Sequence, residues 1–174
     1  NGELERTQIS MAAIMNANGM NAGGIHGGMR VAADQMQKMR KDAAALPGEF
    51  MDLANIMRTG MIPGAHAGLG VDQMRQMSAK VMAAGAVSGL PMDQVAREFA
   101  QLMEGRAGAH NVFGMRLMGL SGDSAEKFNK SDAASRAKMI SESLDKFAPS
   151  IEVFKTSWEG LSSTFVDNVK RFGG

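Results

Sequence analysis

The chain contains no cysteine and no tyrosine, only four prolines and one tryptophan, and no dominant charge, with 19 basic against 18 acidic side chains over 174 residues. Each shortage closes off a class of function. Without cysteine there is no disulfide framework, thiolate metal site or cysteine nucleophile, and either redox compartment suits the chain. A formal charge of +1 gives little long-range attraction to polyphosphate, so specific nucleic-acid binding is not expected. Thr7 to Met29 is free of formal charge and long enough to cross a bilayer. However, Gln8, Asn16, Asn18, Asn21, His26 and five glycines make it too polar for hydrocarbon. It reads as a flexible Gly/Asn linker over 18–28, not a membrane span. No basic segment followed by an apolar run marks a signal peptide. Asn1 in place of an initiator methionine leads us to expect a processed chain or a piece of a longer one.

What the chain has in excess is methionine, 17 residues, roughly four times the usual share. Methionine is unbranched, polarisable and compatible with helix, so a Met/Ala-rich chain suggests adaptable helix–helix contacts. Sixteen of the 17 precede residue 119, whereas Phe128, Phe147, Phe154, Trp158, Phe165 and Phe172 make up six of the nine aromatics. The two compositions meet near Ser121–Gly122.

Helical spacing dominates and no strand pattern competes, which predicts an all-α fold: a multi-helix bundle followed by a long amphipathic C-terminal helix. A short helix is expected over 3–16, with Met11, Ile14 and Met15 on one face, followed by the linker. A helix from Met29 carries Ala32, Ala33, Met36, Met39, Ala43 and Leu46 inward until Pro47–Gly48 breaks it. Phe50, Leu53, Ala54 and Met57 define a second short helix, and 59–70 reads as loop around Pro63–Gly64. Asp72 is the expected N-cap of a helix over 73–87, with Met74, Met77, Val81 and Met82 buried. After Gly89, Pro91 opens a helix with Val95, Phe99, Leu102 and Met103 inward and Asp93, Arg97, Glu98 and Glu104 on the solvated side. A short turn of helix is expected over 111–117. Ser131 is the expected N-cap of a helix through Phe147, with Ala134, Ala137, Ile140 and Leu144 inward.

The last segment has the clearest pattern. Ile151, Phe154, Trp158, Leu161, Phe165, Val169 and Phe172 step by three or four residues along one narrow seam of a helix of about six turns. The seam can close an intramolecular bundle, or it can serve self-association or docking onto another protein. The expected organisation is a short helix and linker over 1–28, a Met/Ala-rich helical domain over 29–147 and the aromatic-seamed helix over 148–174.

Enzyme signatures are missing. There is no H-E-x-x-H, no G-x-S-x-G, no Walker-type phosphate loop and no dinucleotide fingerprint. The glycines from Gly64 to Gly70 are wrongly spaced for a phosphate cradle, and Gly119 to Ser124 reads as an ordinary turn. His26, His66 and His110 each sit in a Gly/Ala-rich connector. Three imidazoles could complete a zinc site, but the connectors offer no partners to orient the rings, so loop histidines are expected. The methionines could bind soft copper(I), yet their helical spacing favours core packing. No catalytic residue, metal or cofactor is expected, and the chain is read as a non-enzyme.

Three segments nonetheless carry a resemblance. One is Lys41-Asp42-Ala43-Ala44-Ala45-Leu46-Pro47-Gly48-Glu49-Phe50. A second runs Gly89-Leu90-Pro91-Met92-Asp93-Gln94-Val95-Ala96-Arg97-Glu98 and on through Leu102-Met103-Glu104 to the small-residue turn Gly105-Arg106-Ala107-Gly108. The third comprises Lys127-Phe128-Asn129-Lys130, Lys146-Phe147-Ala148-Pro149 and Thr156-Ser157-Trp158-Glu159-Gly160-Leu161-Ser162-Ser163-Thr164-Phe165, then Asp167-Asn168. Together these resemble bacteriophage tail tape measure proteins over roughly residues 40–172. The resemblance implies one segment of a long helical rod around which tail tube subunits assemble on a tail-tip or baseplate initiator. It sets tail length and is released on genome ejection. It further implies a homo-oligomer, expected as a trimer, along the tail axis of a virion assembled in the host cytoplasm. The Trp158-Glu159-Gly160 triplet also resembles the W-x-G turn of small helical-hairpin proteins of type VII secretion, the alternative reading.

Overall fold

The computed structural model describes residues 2–46 and 48–172, with side chains described as far as Ser157. The described residues form eight helices and no strand: α1 (Gly2–Ala17), α2 (Gly24–Ala44), α3 (Phe50–His66), α4 (Val71–Val87), α5 (Met92–Met103), α6 (Val112–Met118), α7 (Gly122–Lys130) and α8 (Ala133–Phe172). The protein is an all-α bundle whose last helix is by far the longest.

A single core runs through all of it. It includes Met11 and Met15 of α1, Met36 and Met39 of α2, Leu53 and Met57 of α3, and Met74 and Met82 of α4. Phe99 and Leu102 of α5, Phe113 of α6, Phe128 of α7 and Ile140, Leu144 and Ile151 of α8 complete it. The apolar cluster is thus continuous across residues 28/29 and 147/148. The expected stripes of α4 and α5 are all buried. Each fully buried methionine gains roughly 1.5–3 kcal/mol over an exposed one, and its flexible thioether fills gaps between helices that a branched side chain could not.

Glycine sets the closest helix approaches. A Cβ on Gly60 would lie 2.7 Å from the Phe99 ring, and one on Gly85 would lie 2.5 Å from a Val95 methyl. These positions let α3 and α4 lie tightly against α5.

Several expectations are corrected. The linker ends early: α2 begins at Gly24, and Gly27 and Gly28 are buried, Gly27 under the Asn21–Ala22 turn and Gly28 under the Ala12 backbone of α1. Residues 59–66 are helix, since α3 continues through Pro63 to His66. Packing overrides the proline there: Gly60, Met61 and Gly64 are buried, with Gly64 seated under the Met74 thioether. Gly70 precedes α4, and its N–H bonds the Gln73 side chain (2.8 Å), so Asp72 is not the cap. Helix α7 was not foreseen. Asp132, one residue after Ser131, caps α8 by accepting from the Ser135 N–H (2.8 Å). That bond and the Ser135 hydroxyl hold the Asp132 carboxyl below its ordinary range. Ala33 and Ala134 face solvent, each replaced inward by a neighbour on its helix.

Helix α8 runs unbroken through Pro149. Pro149 denies a donor to the carbonyl of Asp145, but both residues lie on the exposed side, where water can take up that bond. At 1.5 Å per residue its 40 residues span about 60 Å.

Candidate functional site

Two polar arrangements tie the bundle together, and a separate groove lies along α4 and α8. The first is a joint around the α5–α6 connection. Residues 104–111 leave α5 and must turn before α6, which exposes backbone groups that need partners. Asn129 of α7 supplies them: its amide donates to the Ala107 carbonyl (2.9 Å) and accepts from the Ala107 N–H (2.7 Å). Arg136 of α8 reaches across to the Met103 carbonyl (3.1 Å) and also donates to the Ser131 carbonyl. Gly105 lies between them with φ +79, and a Cβ there would lie 3.1 Å from both the Asn129 carbonyl oxygen and the Arg136 guanidinium carbon. Only glycine satisfies both the backbone and the space.

The same joint contains a buried polar pair. Asn111 is fully buried; its amide donates to the Glu98 carbonyl (2.9 Å) and its Oδ1 caps α6 by accepting from Gly114 (2.8 Å). Glu98 is 2% exposed, and its Oε1 accepts from the Val112 N–H (2.5 Å). This corrects its assignment to the solvated side of α5: the largely buried N-terminus of α6 recruits an acceptor that periodicity alone would have turned outward. Its Oε2 is buried without a hydrogen-bond partner among the described residues.

The second arrangement joins α2 to α4. Arg75 donates to the Gln35 side-chain oxygen (3.1 Å), Asp42 (3.2 Å) and Asp72 (2.7 Å). Asp72 also accepts from the Gln35 amide (3.0 Å) and pairs with Lys38 (3.4 Å). The Gln35 bond, foremost, together with the contacts from Arg75 and Lys38, holds the Asp72 carboxyl below its ordinary range and outweighs the opposing effect of burial. Lys38 is raised, chiefly by its hydrogen bond to Asp34.

A shallow groove follows the α4–α8 contact, a cleft of about 350 Å³ passing into a second of about 190 Å³, with Lys80 and Leu144 lining both. Lys80 pairs with Asp145 at its rim (3.0 Å). Mixed charge and an alanine-rich floor provide no converging polar groups for a small ligand. His26 sits in the first turn of α2, His66 ends α3 and His110 lies before α6; all three are exposed. No group of three or more His, Asp or Glu positioned to hold a metal occurs among the described residues, and none of their helices is long and apolar enough to cross a membrane.

Of the seven expected seam residues, Ile151 is buried in the core and Phe154 is half-buried on α8. Both therefore pack within the chain to some degree, while their neighbour Val153 is 69% exposed. Trp158, Leu161, Phe165, Val169 and Phe172 lie on the α8 backbone, with side chains outside the described residues. The joint residues Asn111, Asn129 and Arg136 were not foreseen. Only Asn111 gave a local signal, an asparagine immediately before the apolar pair Val112–Phe113, where a helix cap is favoured.

No protein-family model matches the sequence, and neither curated proteins nor solved structures yield a match.

Proposed function

We propose that the chain is a helical structural segment of a phage tail tape measure protein. In this reading it helps set tail tube length, contacts tube and tail-tip proteins in the virion, and leaves the tube on genome ejection. The observation that carries the reading is the resemblance to that family of residues 41–50, of 89–98 with 102–108, and of the short motifs 127–130, 146–149, 156–165 and 167–168. Its support from the fold is that the second and third of these segments meet at a structurally demanding point. Ala107 of the second segment is held by Asn129 of the third, and Gly105 passes close beside the Asn129 backbone. Phe50 of the first lies under the Arg40 guanidinium at 4.5 Å, on the far side of the turn at Gly48. A 40-residue helix at the end of a Met-lined bundle also suits a rod-forming protein whose contacts change between assembly and release. The role is structural, without catalysis or cofactor, and association of copies along the tail axis, as trimers, runs through the seam of α8.

The alternative reading needs a chain reversal at Trp158-Glu159-Gly160, and those residues lie inside α8. It draws no support from the fold.

Tail length is the decisive test. In-frame removal of residues 29–147 from the full-length gene shortens tails, by roughly 180 Å where this stretch is drawn out along the tube as continuous helix at 1.5 Å per residue, measured by electron microscopy. Normal tails of unchanged length would overturn the reading.

A further inference from the structure

The hairpin α1–α2 closes on itself. Asn21 in its turn donates to the carbonyls of Ala22 and Gly24, both at 3.0 Å. A Cβ on Gly28 would come within 2.8 Å of the Ala12 carbonyl oxygen, so the two helices are in near backbone contact. Toward the rest of the fold the pair meets α3 and α4. Its apolar contribution there is mainly methionine: Met11, Met15, Met36 and Met39 are all buried. Four hydrogen bonds between α2 and α4 converge on two residues, Arg75 and Asp72. Past α2 the chain passes through Gly48 at φ +137, a backbone region that glycine alone enters freely.

We propose that α1–α2 is a separately opening unit of the fold, hinged at Gly48 and latched to α4 by Arg75 and Asp72. The proposal stands whether or not the phage-tail reading holds. Cooperative opening units commonly coincide with supersecondary motifs, and this one has a closed interior, a soft interface and a localised latch. The interface is soft because methionine side chains adapt to a new neighbour without a fixed shape to lose. The latch is accessible to competing water: the Asp72 and Asp42 side chains are 62% and 36% exposed, while Arg75 is 13% exposed. Opening lays bare the methionine-lined faces of the hairpin and of α3–α4 together, a surface able to repack against another helix.

Hydrogen–deuterium exchange of the full chain tests this. Residues 2–44 exchange at a shared rate faster than α5, whose Val95, Phe99, Leu102 and Met103 lie in the core. Arg75→Met accelerates the hairpin amides by about tenfold, the scale expected for losing a charge-assisted hydrogen bond, and leaves α5 unchanged. Equal rates in hairpin and α5 in the wild type, or equal acceleration of both in the variant, would overturn the proposal. Should Arg75→Met not fold, Asp72→Asn serves in its place. A smaller acceleration confined to residues 2–44 supports the latch, and a uniform or absent one refutes it.

Discussion

Where α2 meets α4, charged side chains that touch water carry the polar contact; where the α5–α6 connection meets α7 and α8, side chains bonded to backbone carry it, Asn129 from α7 and Arg136 from α8. Arg75 shares its guanidinium among Gln35, Asp42 and Asp72, two of them solvent-accessible carboxylates. Asn129 and Asn111 instead satisfy particular backbone groups, Ala107 and Gly114, that would otherwise be buried without partners. An exposed ion pair exchanges with water at little cost, whereas a stranded buried N–H or C=O carries its full desolvation penalty. The same fold thus has one region fixed by geometry and another fastened by a releasable contact. Hydrophobic packing reinforces the contrast, since the hairpin buries methionines and the joint buries Phe99, Phe113 and Phe128.

The sharpest way to break this comparison is at the joint. Asn129→Ala removes two hydrogen bonds and leaves both polar groups of Ala107 unpaired in a residue 6% exposed. At about 1–3 kcal/mol per stranded group, the loss comes to about 3 kcal/mol, read from the urea midpoint at constant slope. A loss within 0.5 kcal/mol, on the order expected of an ordinary surface substitution, would show that the joint is not rigid in the sense argued.

Much of the helical body was legible because apolar spacing is a local signal. Met74, Met77, Val81 and Met82 on α4 and Val95, Phe99, Leu102 and Met103 on α5 were placed inward from periodicity and are inward. The misreadings share a different cause. Pro63 is a helix breaker in isolation, yet Gly60 and Gly64 on either side accept Phe99 and Met74, partners 39 and 10 residues away in sequence. The glycines at 27 and 28 look like linker until the Asn21–Ala22 turn closes over the first and α1 over the second. Glu98 looks solvated until the Val112 N–H arrives to claim its oxygen. Asn129 gives no sign of its role, because Ala107 presents nothing but backbone to be recognised. Composition and spacing report which face a residue takes; they do not report which distant backbone it must satisfy. The seam of α8 stands between these cases, with a regular spacing that places Ile151 in this chain's own core.

A smaller effect separates the two packing chemistries. Met57→Leu conserves volume at a fully buried position of α3 and is expected to cost below about 1.5 kcal/mol, with unchanged helicity by circular dichroism. Methionine-lined cores accommodate such a change by repacking neighbouring thioethers. A cost near that of Asn129→Ala would mean that the methionine core is as exacting as the joint, and the contrast would fail.

The smallest effect lies at the latch and depends on pH. The folded Asp72 carboxyl is held below its ordinary range, first by the Gln35 amide and then by Arg75 and Lys38. A carboxyl lowered on folding contributes stability that is fully present above its unfolded value and is lost as pH falls through the folded one. The acid limb below about pH 4 is therefore where the latch weakens. Asp72 is exposed, so solvent screening keeps the effect small. Asp72→Asn removes the titrating group. Its hairpin amides, corrected for intrinsic exchange, should open faster than wild type at neutral pH, and the two proteins should converge as pH falls through this window. The remaining carboxylates are common to both proteins, so their effects cancel in the comparison. A difference that stays constant down to pH values well below the carboxylate range would mean that Asp72 acts through shape alone, and that the charge on Asp72 plays no part in how α2 is held to α4.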